Sequence, residues 1–204
     1  MDVSKKIARH LLQIKAIKLN PQTPFTWASG IKSPIYCDNR MVLSFPDVRK
    51  LIKKELAFLS KEFGYFDAVS GVATAGIAHG MLLADELKKP FSYVRSKAKE
   101  HGRQNLIEGQ VIPGQKVLVV EDLISTGGSS IKAVDALRAA GVEVVGVIAI
   151  FSYGFKRAAQ TFADADCTYK TLSNYEDLIQ IAVELDYVTE ADVNGLKEWR
   201  EQFT

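Results

Sequence analysis

The 204-residue chain lacks the sequence features that mark disulfide-rich, membrane and nucleic-acid-binding proteins. Its two cysteines are far apart and lack CxxC or Cys/His spacing, which predicts reduced thiols rather than a metal site or disulfide framework. No apolar run approaches the roughly 20 residues that span a bilayer, and charges interrupt the amphipathic N-terminus, unlike a signal peptide. The formal net charge of +2 is too small to indicate a nucleic-acid surface. We therefore predict a cytoplasmic protein with neither membrane nor nucleic-acid partners.

Repeats, low-complexity tracts and linkers are also absent, so residues 1–204 are predicted to form one domain. Short apolar runs rich in Val, Ile and Leu alternate with helical stretches through the middle of the chain. Such runs are typical of strands buried on both faces of a parallel sheet, which predicts an α/β fold with helices on both faces. The predicted strands are residues 66–72, 91–96, 116–122 and 142–151, with a further short strand near 167–172.

The remaining segments have patterns of their own. Residues 3–18 and 46–63 have the apolar spacing of amphipathic helices, and helices are also expected at about 75–88 and 129–140. Three prolines between residues 20 and 39 favour loops and a small hairpin. The first forty or so residues are therefore expected to form a hood over the sheet. Two more helices are expected at the C-terminal end, with Thr189 as a cap.

The sequence motif that indicates a binding site most clearly begins at the end of the strand at 116–122. Glu121 and Asp122 follow an apolar run, and small residues at 125–129 then open a helix. Backbone N–H groups of such a loop and the positive end of the helix suit a phosphate, while carboxylates accept hydrogen bonds from ribose hydroxyls. Neither GxxxxGK[ST] nor GxGxxG is present. This segment indicates a ribose-5-phosphate site; the alternative is an ordinary strand–helix loop with both acids in solvent.

A basic stretch follows the strand at 91–96. Arg95, Lys97, Lys99 and His101 place four cations within seven residues when the histidine is charged. Alone, this stretch fits a solvated surface loop equally well. Beside a phosphate site it gains a role, because one cation about 4 Å from a unit negative charge contributes roughly 4 kcal/mol at an effective dielectric constant of about 20.

Residues 117–130 resemble the signature of the type I phosphoribosyltransferases, which bind phosphoribosyl pyrophosphate (PRPP). The basic stretch at 93–102, together with FTWASGIKSPIYCDNR at 25–40, looks like the orotate phosphoribosyltransferase family, and the resemblance covers most of the chain. It implies the type I phosphoribosyltransferase fold. It also implies transfer of ribose 5-phosphate from PRPP to orotate, giving orotidine 5′-monophosphate and pyrophosphate in UMP biosynthesis.

The resemblance further implies roles for individual residues. Arg95, Lys99 and His101 would contact the pyrophosphate of PRPP and act in catalysis. Ser125 would touch orotate, and Tyr36 would stack on the pyrimidine, with a place in the hairpin core as the alternative. Mg²⁺ would bind through PRPP, with Asp122 as the candidate protein ligand. The remaining PRPP contacts would be Glu121, Asp122, Leu123, Ile124, Ser125, Thr126, Gly127, Gly128 and Ser129.

Three positions depart from the better-known bacterial pattern: Ala28, Ala75 and Ser96 stand where that pattern has lysine. Fewer cations then remain for pyrophosphate, so a stronger dependence on Mg²⁺ is expected, with Lys32 and Lys97 as candidate replacements. Gly71 and Gly76 are expected in a bend that receives pyrophosphate; simple turn chemistry is the alternative.

The resemblance implies a homodimer in which the basic loop of one subunit completes the site of its neighbour. Two rival functions stay open. One is a phosphoribosyltransferase for a purine or uracil, which the loop and the KSPIYC segment at 32–37 disfavour. The other is a regulator that senses PRPP and binds nucleic acid, which the small net charge disfavours.

Overall fold

The computed structural model describes residues 2–27, 30–97 and 106–202. The helices are α1 (Val3–Gln13), α2 (Pro46–Leu59), α3 (Ala75–Leu87), α4 (Gly128–Ala139), α5 (Lys156–Asp164), α6 (Tyr175–Glu184) and α7 (Glu190–Glu201). The strands are β1 (Ile17–Leu19), β2 (Phe25–Thr26), β3 (Lys32–Ser33), β4 (Ile35–Cys37), β5 (Ala68–Val72), β6 (Phe91–Val94), β7 (Ile107–Glu108), β8 (Lys116–Ile124), β9 (Glu143–Ser152) and β10 (Tyr169–Asn174). Short 3₁₀ turns span Asn39–Ser44 and Ser60–Phe63.

Six strands form the central sheet in the order β10-β9-β8-β5-β6-β7. Every neighbouring pair is parallel except β6–β7, where the two-residue strand β7 runs antiparallel at the edge. The long apolar strands β8 and β9 lie in the interior of the sheet, as expected for segments buried on both faces. The predicted α/β fold is therefore confirmed.

Helices cover both faces of the sheet, as predicted. Along β8, Leu118 and Val120 point into one core while Val117 and Val119 point into the other, as the two-residue period of a strand requires. The first core includes buried residues of α1, α2, α3, α6 and α7, and the second those of α4 and α5. Each fully buried large aliphatic side chain stabilises the fold by about 1.5–3 kcal/mol.

The predicted small hairpin is present in the N-terminal region. β2 pairs with β3 and β1 pairs with β4, both antiparallel. The indole N–H of Trp27 donates to the Ile35 carbonyl oxygen at 3.1 Å, and that of Trp199 donates to the Lys32 carbonyl oxygen at 3.1 Å. Because Trp199 belongs to α7, the C-terminal helix holds the hairpin in place.

Several predicted boundaries are wrong; α2, for example, ends at Leu59 rather than at residue 63. The first helix ends at Gln13 rather than at residue 18, because Lys15 adopts a left-handed conformation (φ 58°) and residues 17–19 pair with β4 instead. Strand β8 continues past Asp122 to Ile124, still paired with β9. The assignment of residues 1–204 to one domain stays a prediction. Within the described ranges, no helix has the length and apolarity to cross a bilayer.

Candidate active site

The candidate site lies where β5, β6 and β8 reach their carboxyl ends. These neighbouring strands are parallel, so the segments that follow them meet at one edge of the sheet. The segments are residues 73–74 after β5, 95–96 after β6 and 125–127 after β8. The peptide bond between Ala73 and Thr74 is cis. Residues predicted from separate motifs are therefore brought to a common edge.

Glu121 and Asp122 have different environments although they are adjacent. Glu121 is buried: one carboxylate oxygen accepts the Asp122 backbone N–H at 3.0 Å, and the other accepts the Ser129 hydroxyl at 3.2 Å. Burial raises the pKa of Glu121 well above its ordinary value, and the charge of Asp122 raises it further. Asp122 is half-buried. The alternative that both acids lie in solvent is therefore wrong for Glu121.

Residues 125–129, here called the phosphate loop, lead from β8 into α4. Gly127 is in the left-handed region (φ 82°), and a Cβ on it would lie 2.9 Å from the Phe162 ring. Both features require glycine at this position. The first turn of α4 contains no acidic residue, and within the described chain no side chain caps it. The N–H groups of this turn are thus available to an anion.

A cavity of about 550 Å³ adjoins the phosphate loop, between the ends of β5 and β6 and the helix α4. Arg95, Ser96 and Ser129 line it, so the structure brings the predicted arginine to the predicted loop. The Arg95 guanidinium lies 3.6 Å from a Glu108 carboxylate oxygen. Predicted residues Lys99 and His101 lie outside the described residues. Lys132 also lines this cavity and was not predicted, although its position three residues after Ser129 places both on one helix face.

A second cavity, of about 410 Å³, lies on the hairpin side of β8 and is here called the base pocket. It brings together Tyr36 and Ser125, the two residues predicted to contact orotate. Tyr36 is 40% exposed, which excludes its alternative place in the hairpin core. The residues that line the base pocket are Thr26, Trp27, Tyr36, Cys37, Leu123, Ser125 and Tyr153.

Sequence reasoning missed Tyr153, which directly follows β9. Its backbone N–H bonds to the Ile124 carbonyl oxygen at 3.2 Å, and its ring stacks on Phe155 with a centroid distance of 5.2 Å. Burial raises the pKa of Tyr153 well above its ordinary value, and burial likewise raises that of the Cys37 thiol. Both groups are therefore neutral near pH 7. The rule that residues after parallel strands form the site could have identified Tyr153.

Asn39, also missed, links the hairpin region to β8. Its buried side-chain amide donates to the Asp122 carbonyl oxygen at 2.8 Å, and its oxygen accepts the Cys37 thiol at 3.4 Å. Its backbone carbonyl accepts a hydrogen bond from His79, whose pKa is lowered by burial. Nothing in the local sequence marks a contact across 83 positions.

The predicted bend glycines have a packing role. A Cβ on Gly71 would lie 2.8 Å from the Gly76 carbonyl oxygen, and a Cβ on Gly76 would overlap the Val120 carbonyl oxygen. Neither glycine has a left-handed φ. Their lack of a side chain lets α3 begin directly against β5 and β8 beside the candidate site.

Among the described residues, no group of three or more His, Cys, Asp or Glu side chains could hold a metal ion. A cleft of about 640 Å³ lies between α6 and α7, lined by residues such as Ile179 and Val193. None of the residues predicted for the site lines this cleft.

Comparison with known proteins identifies the family. The phosphoribosyl transferase domain matches residues 39–188. The orotate phosphoribosyltransferase of Listeria monocytogenes serovar 1/2a is 56% identical over 201 residues, covering 98% of this chain and 96% of that protein. That of Bacteroides fragilis strain YCH46 is 54% identical over 200 residues, covering 98% and 94%.

A solved structure leads to the same family. The orotate phosphoribosyltransferase of Aeropyrum pernix has a TM-score of 0.76 and 27% identity, covering 89% of this chain and 99% of that one. The predicted resemblance is confirmed at the level of both sequence and fold. The chain therefore belongs to the orotate phosphoribosyltransferases, a family of pentosyltransferases built on the phosphoribosyl transferase domain.

Proposed function

We propose that this chain transfers ribose 5-phosphate from PRPP to orotate, with the 5-phosphate on the phosphate loop and orotate in the base pocket. The observation that carries the proposal is the position of Ser125. It begins the phosphate loop and also lines the base pocket, so a ribose held at the end of β8 lies between a phosphate site and a base site.

The ribose phosphate would be held by backbone and side chains together. The first turn of α4 and the small residues of the phosphate loop supply N–H groups and hydroxyls to the 5-phosphate. The half-buried Asp122 carboxylate is placed to accept hydrogen bonds from ribose hydroxyls. Glu121 supports the loop through Ser129, and its direct contact with PRPP stays a prediction.

The base pocket suits a flat, conjugated ring. Aromatic side chains of Trp27, Tyr36 and Tyr153 line it, and offset stacking on such rings adds about 0.5–1.5 kcal/mol beyond the burial of area. The exposed ring of Tyr36 is free to cover the pyrimidine, while the Ser125 hydroxyl can bond to a polar edge.

The leaving pyrophosphate would lie in the cavity beside Arg95, where Lys132 adds a second cation. Lys99 and His101 would close over it, and in this scheme they would also exclude water. Mg²⁺ fits the site, since it binds one or two carboxylates plus substrate phosphates, and Asp122 offers one accessible carboxylate. When bound, Mg²⁺ would neutralise charge on the pyrophosphate oxygens.

The reaction would be displacement at the anomeric carbon through an oxocarbenium-like transition state. The half-buried Asp122 carboxylate would stabilise its positive charge, and cations would stabilise the departing pyrophosphate. In this scheme the protein acts mainly by electrostatic preorganisation, where the loss of one donor lowers rates by roughly 10²- to 10³-fold.

We further propose a homodimer with shared sites and a cytoplasmic location. The exposed side chains of Met41, Phe45 and Met81 leave apolar surface for a partner subunit. Mixing inactive Lys99→Ala and Asp122→Asn chains should restore part of the activity if one subunit's loop serves its neighbour's site. Each variant mixed with itself is the control, and a mixture as inactive as the controls would exclude sharing.

The activity itself is tested with purified protein, PRPP and Mg²⁺, following the loss of orotate absorbance. Uracil, adenine, hypoxanthine and xanthine serve as parallel acceptors. Consumption of orotate alone, with release of pyrophosphate, is expected. Turnover of another base would overturn the assignment of the base pocket, and PRPP binding without turnover of any base would favour the regulatory alternative.

A further inference from the structure

Lys32 places a positive charge at the edge of the base pocket. In the β2–β3 hairpin it lies directly opposite Thr26, and its ammonium group donates to the Thr26 hydroxyl at 2.7 Å. Thr26 lines the base pocket, and the Lys32 side chain is itself exposed. A ligand that enters the base pocket therefore passes close to this cation.

The lining of the base pocket is otherwise uncharged. Its seven described residues include no Lys, Arg, Asp or Glu. Two ionisable lining groups, the buried Cys37 thiol and the Tyr153 phenol, stay neutral because burial raises the pKa of each. A carboxylate in this pocket would thus lose hydration without gaining a counter-charge from the lining itself.

Arg40, a neighbouring cation, is less available than Lys32. Arg40 makes two hydrogen bonds to the Asp38 carboxylate, at 2.6 and 3.0 Å. Lys32 forms no ion pair within the described ranges, and its hydrogen bond goes to a neutral hydroxyl. An unneutralised ammonium beside an uncharged aromatic pocket is suited to a flat ring that carries one carboxylate.

We propose that Lys32 is a specificity-determining residue that binds the carboxylate of the base. The proposal rests on the proposed function, because orotate differs from uracil by a carboxylate at C6. From the sequence, Lys32 was a candidate to bind pyrophosphate. The proposal assigns it to the base instead.

The hairpin allows Lys32 to be tested cleanly. Its backbone is held by the Trp199 indole through the Lys32 carbonyl oxygen and by pairing with Thr26. Neither contact involves the Lys32 side chain, so replacement of the ammonium group leaves them in place. Lys32→Met removes the charge but keeps a long side chain, and Lys32→Arg keeps the charge.

The matched control is Lys18→Met. Lys18 is an exposed lysine on the adjacent strand β1, opposite Tyr36, and within the described part of the chain it makes no side-chain hydrogen bond to a pocket residue. It therefore reports what the loss of one nearby charge does through the general electrostatic field.

The experiment measures kcat and KM for orotate and PRPP in the full-length wild type and the three variants. Lys32→Met should raise the KM for orotate roughly 10- to 100-fold, the range for loss of a hydrogen bond to a charged group. The KM for PRPP should not change, Lys32→Arg should recover most of the affinity for orotate, and Lys18→Met should resemble the wild type.

Uracil, which lacks the carboxylate, serves as a competitive inhibitor against orotate, and its inhibition constant should be the same in Lys32→Met and wild type. An unchanged KM for orotate in Lys32→Met, an equal rise in Lys18→Met, or a rise confined to PRPP would each overturn the proposal. If the wild type does not consume orotate at all, the proposed function is wrong. That result differs from one in which the wild type is active and Lys32→Met has no effect on the KM for orotate.

Discussion

The phosphate end and the base end of the site are built differently, although both begin on β8. The phosphate loop is one continuous run of small residues, and it presents backbone N–H groups of a helix. The base pocket is made of side chains from the hairpin, from β8 and from the end of β9. One end therefore depends on local backbone conformation, and the other depends on how distant segments pack together.

This difference shows which changes each end can tolerate. A backbone site fails when the chain cannot adopt the required φ and ψ, even if no contact to the ligand is removed. A side-chain site fails when its packing partners move. The two ends are joined by the buried hydrogen bond from Asn39 to the main chain of Asp122, so some substitutions should affect both.

The largest effect on the phosphate end alone is expected from Gly127→Ala. A left-handed alanine costs about 1–2 kcal/mol, and its Cβ would also overlap the Phe162 ring. The KM for PRPP should rise roughly 10- to 100-fold, with little change in the KM for orotate. Gly195→Ala on α7 is the control, because its Cβ would meet nothing within 4 Å and it lies outside the phosphate loop. Equal effects of the two substitutions would show that the loop conformation is not what binds the phosphate.

A smaller effect on both ends together is expected from Asn39→Ala. The substitution leaves a buried carbonyl oxygen without its side-chain donor, which costs about 1–3 kcal/mol of folding stability. The KM values for PRPP and orotate should rise together, by roughly three- to tenfold.

Ser60→Ala provides the control for Asn39→Ala. Ser60 is buried away from the site, and its hydroxyl donates to the Ala57 carbonyl oxygen at 2.8 Å. It should lower the melting temperature without changing either KM. A change in only one KM for Asn39→Ala would mean that the two ends are not coupled through this residue.

Lys132→Met should weaken the phosphate end only slightly. Lys132 is an exposed cation in the cavity beside Arg95, and exposed charge pairs contribute about 1 kcal/mol or less. The KM for PRPP should rise roughly two- to fourfold at low salt, and the difference should shrink at high salt because the charges are screened. Lys50→Met, an exposed lysine on α2, should show neither effect.

Apart from the KM values, a pH trend in folding stability is expected from Glu121. Its folded-state pKa is raised above the ordinary 4.5, so the folded state binds more protons than the unfolded state between these two values. The free energy of unfolding should therefore fall as pH rises from 4.5 through the folded pKa. Glu121→Gln should remove this fall, measured by urea unfolding across pH. A wild type and variant with parallel pH profiles would contradict the raised pKa.

The same contrast explains what the sequence could predict. The phosphate loop, which includes Gly127, is one contiguous segment. Its sequence therefore indicates both the strand–helix junction and the chemistry of that junction. Tyr36 and Ser125, identified through a family resemblance, line one pocket, and their contact with orotate stays a prediction. Tyr153 and Asn39 were missed because each acts through contacts between distant segments. The early end of α1 depends on a left-handed Lys15, which no local signal requires.

The bond between Trp199 and Lys32 has a consequence for how the chain matures. The two residues are separated by 167 positions, so the hairpin gains this support only when the last helix has been synthesised and has docked. The phosphate loop lies more than 60 residues before the C-terminus and is synthesised earlier. A nascent chain, or one shortened by proteolysis at α7, would therefore have the binding loop for PRPP but not the supported hairpin that discriminates among bases.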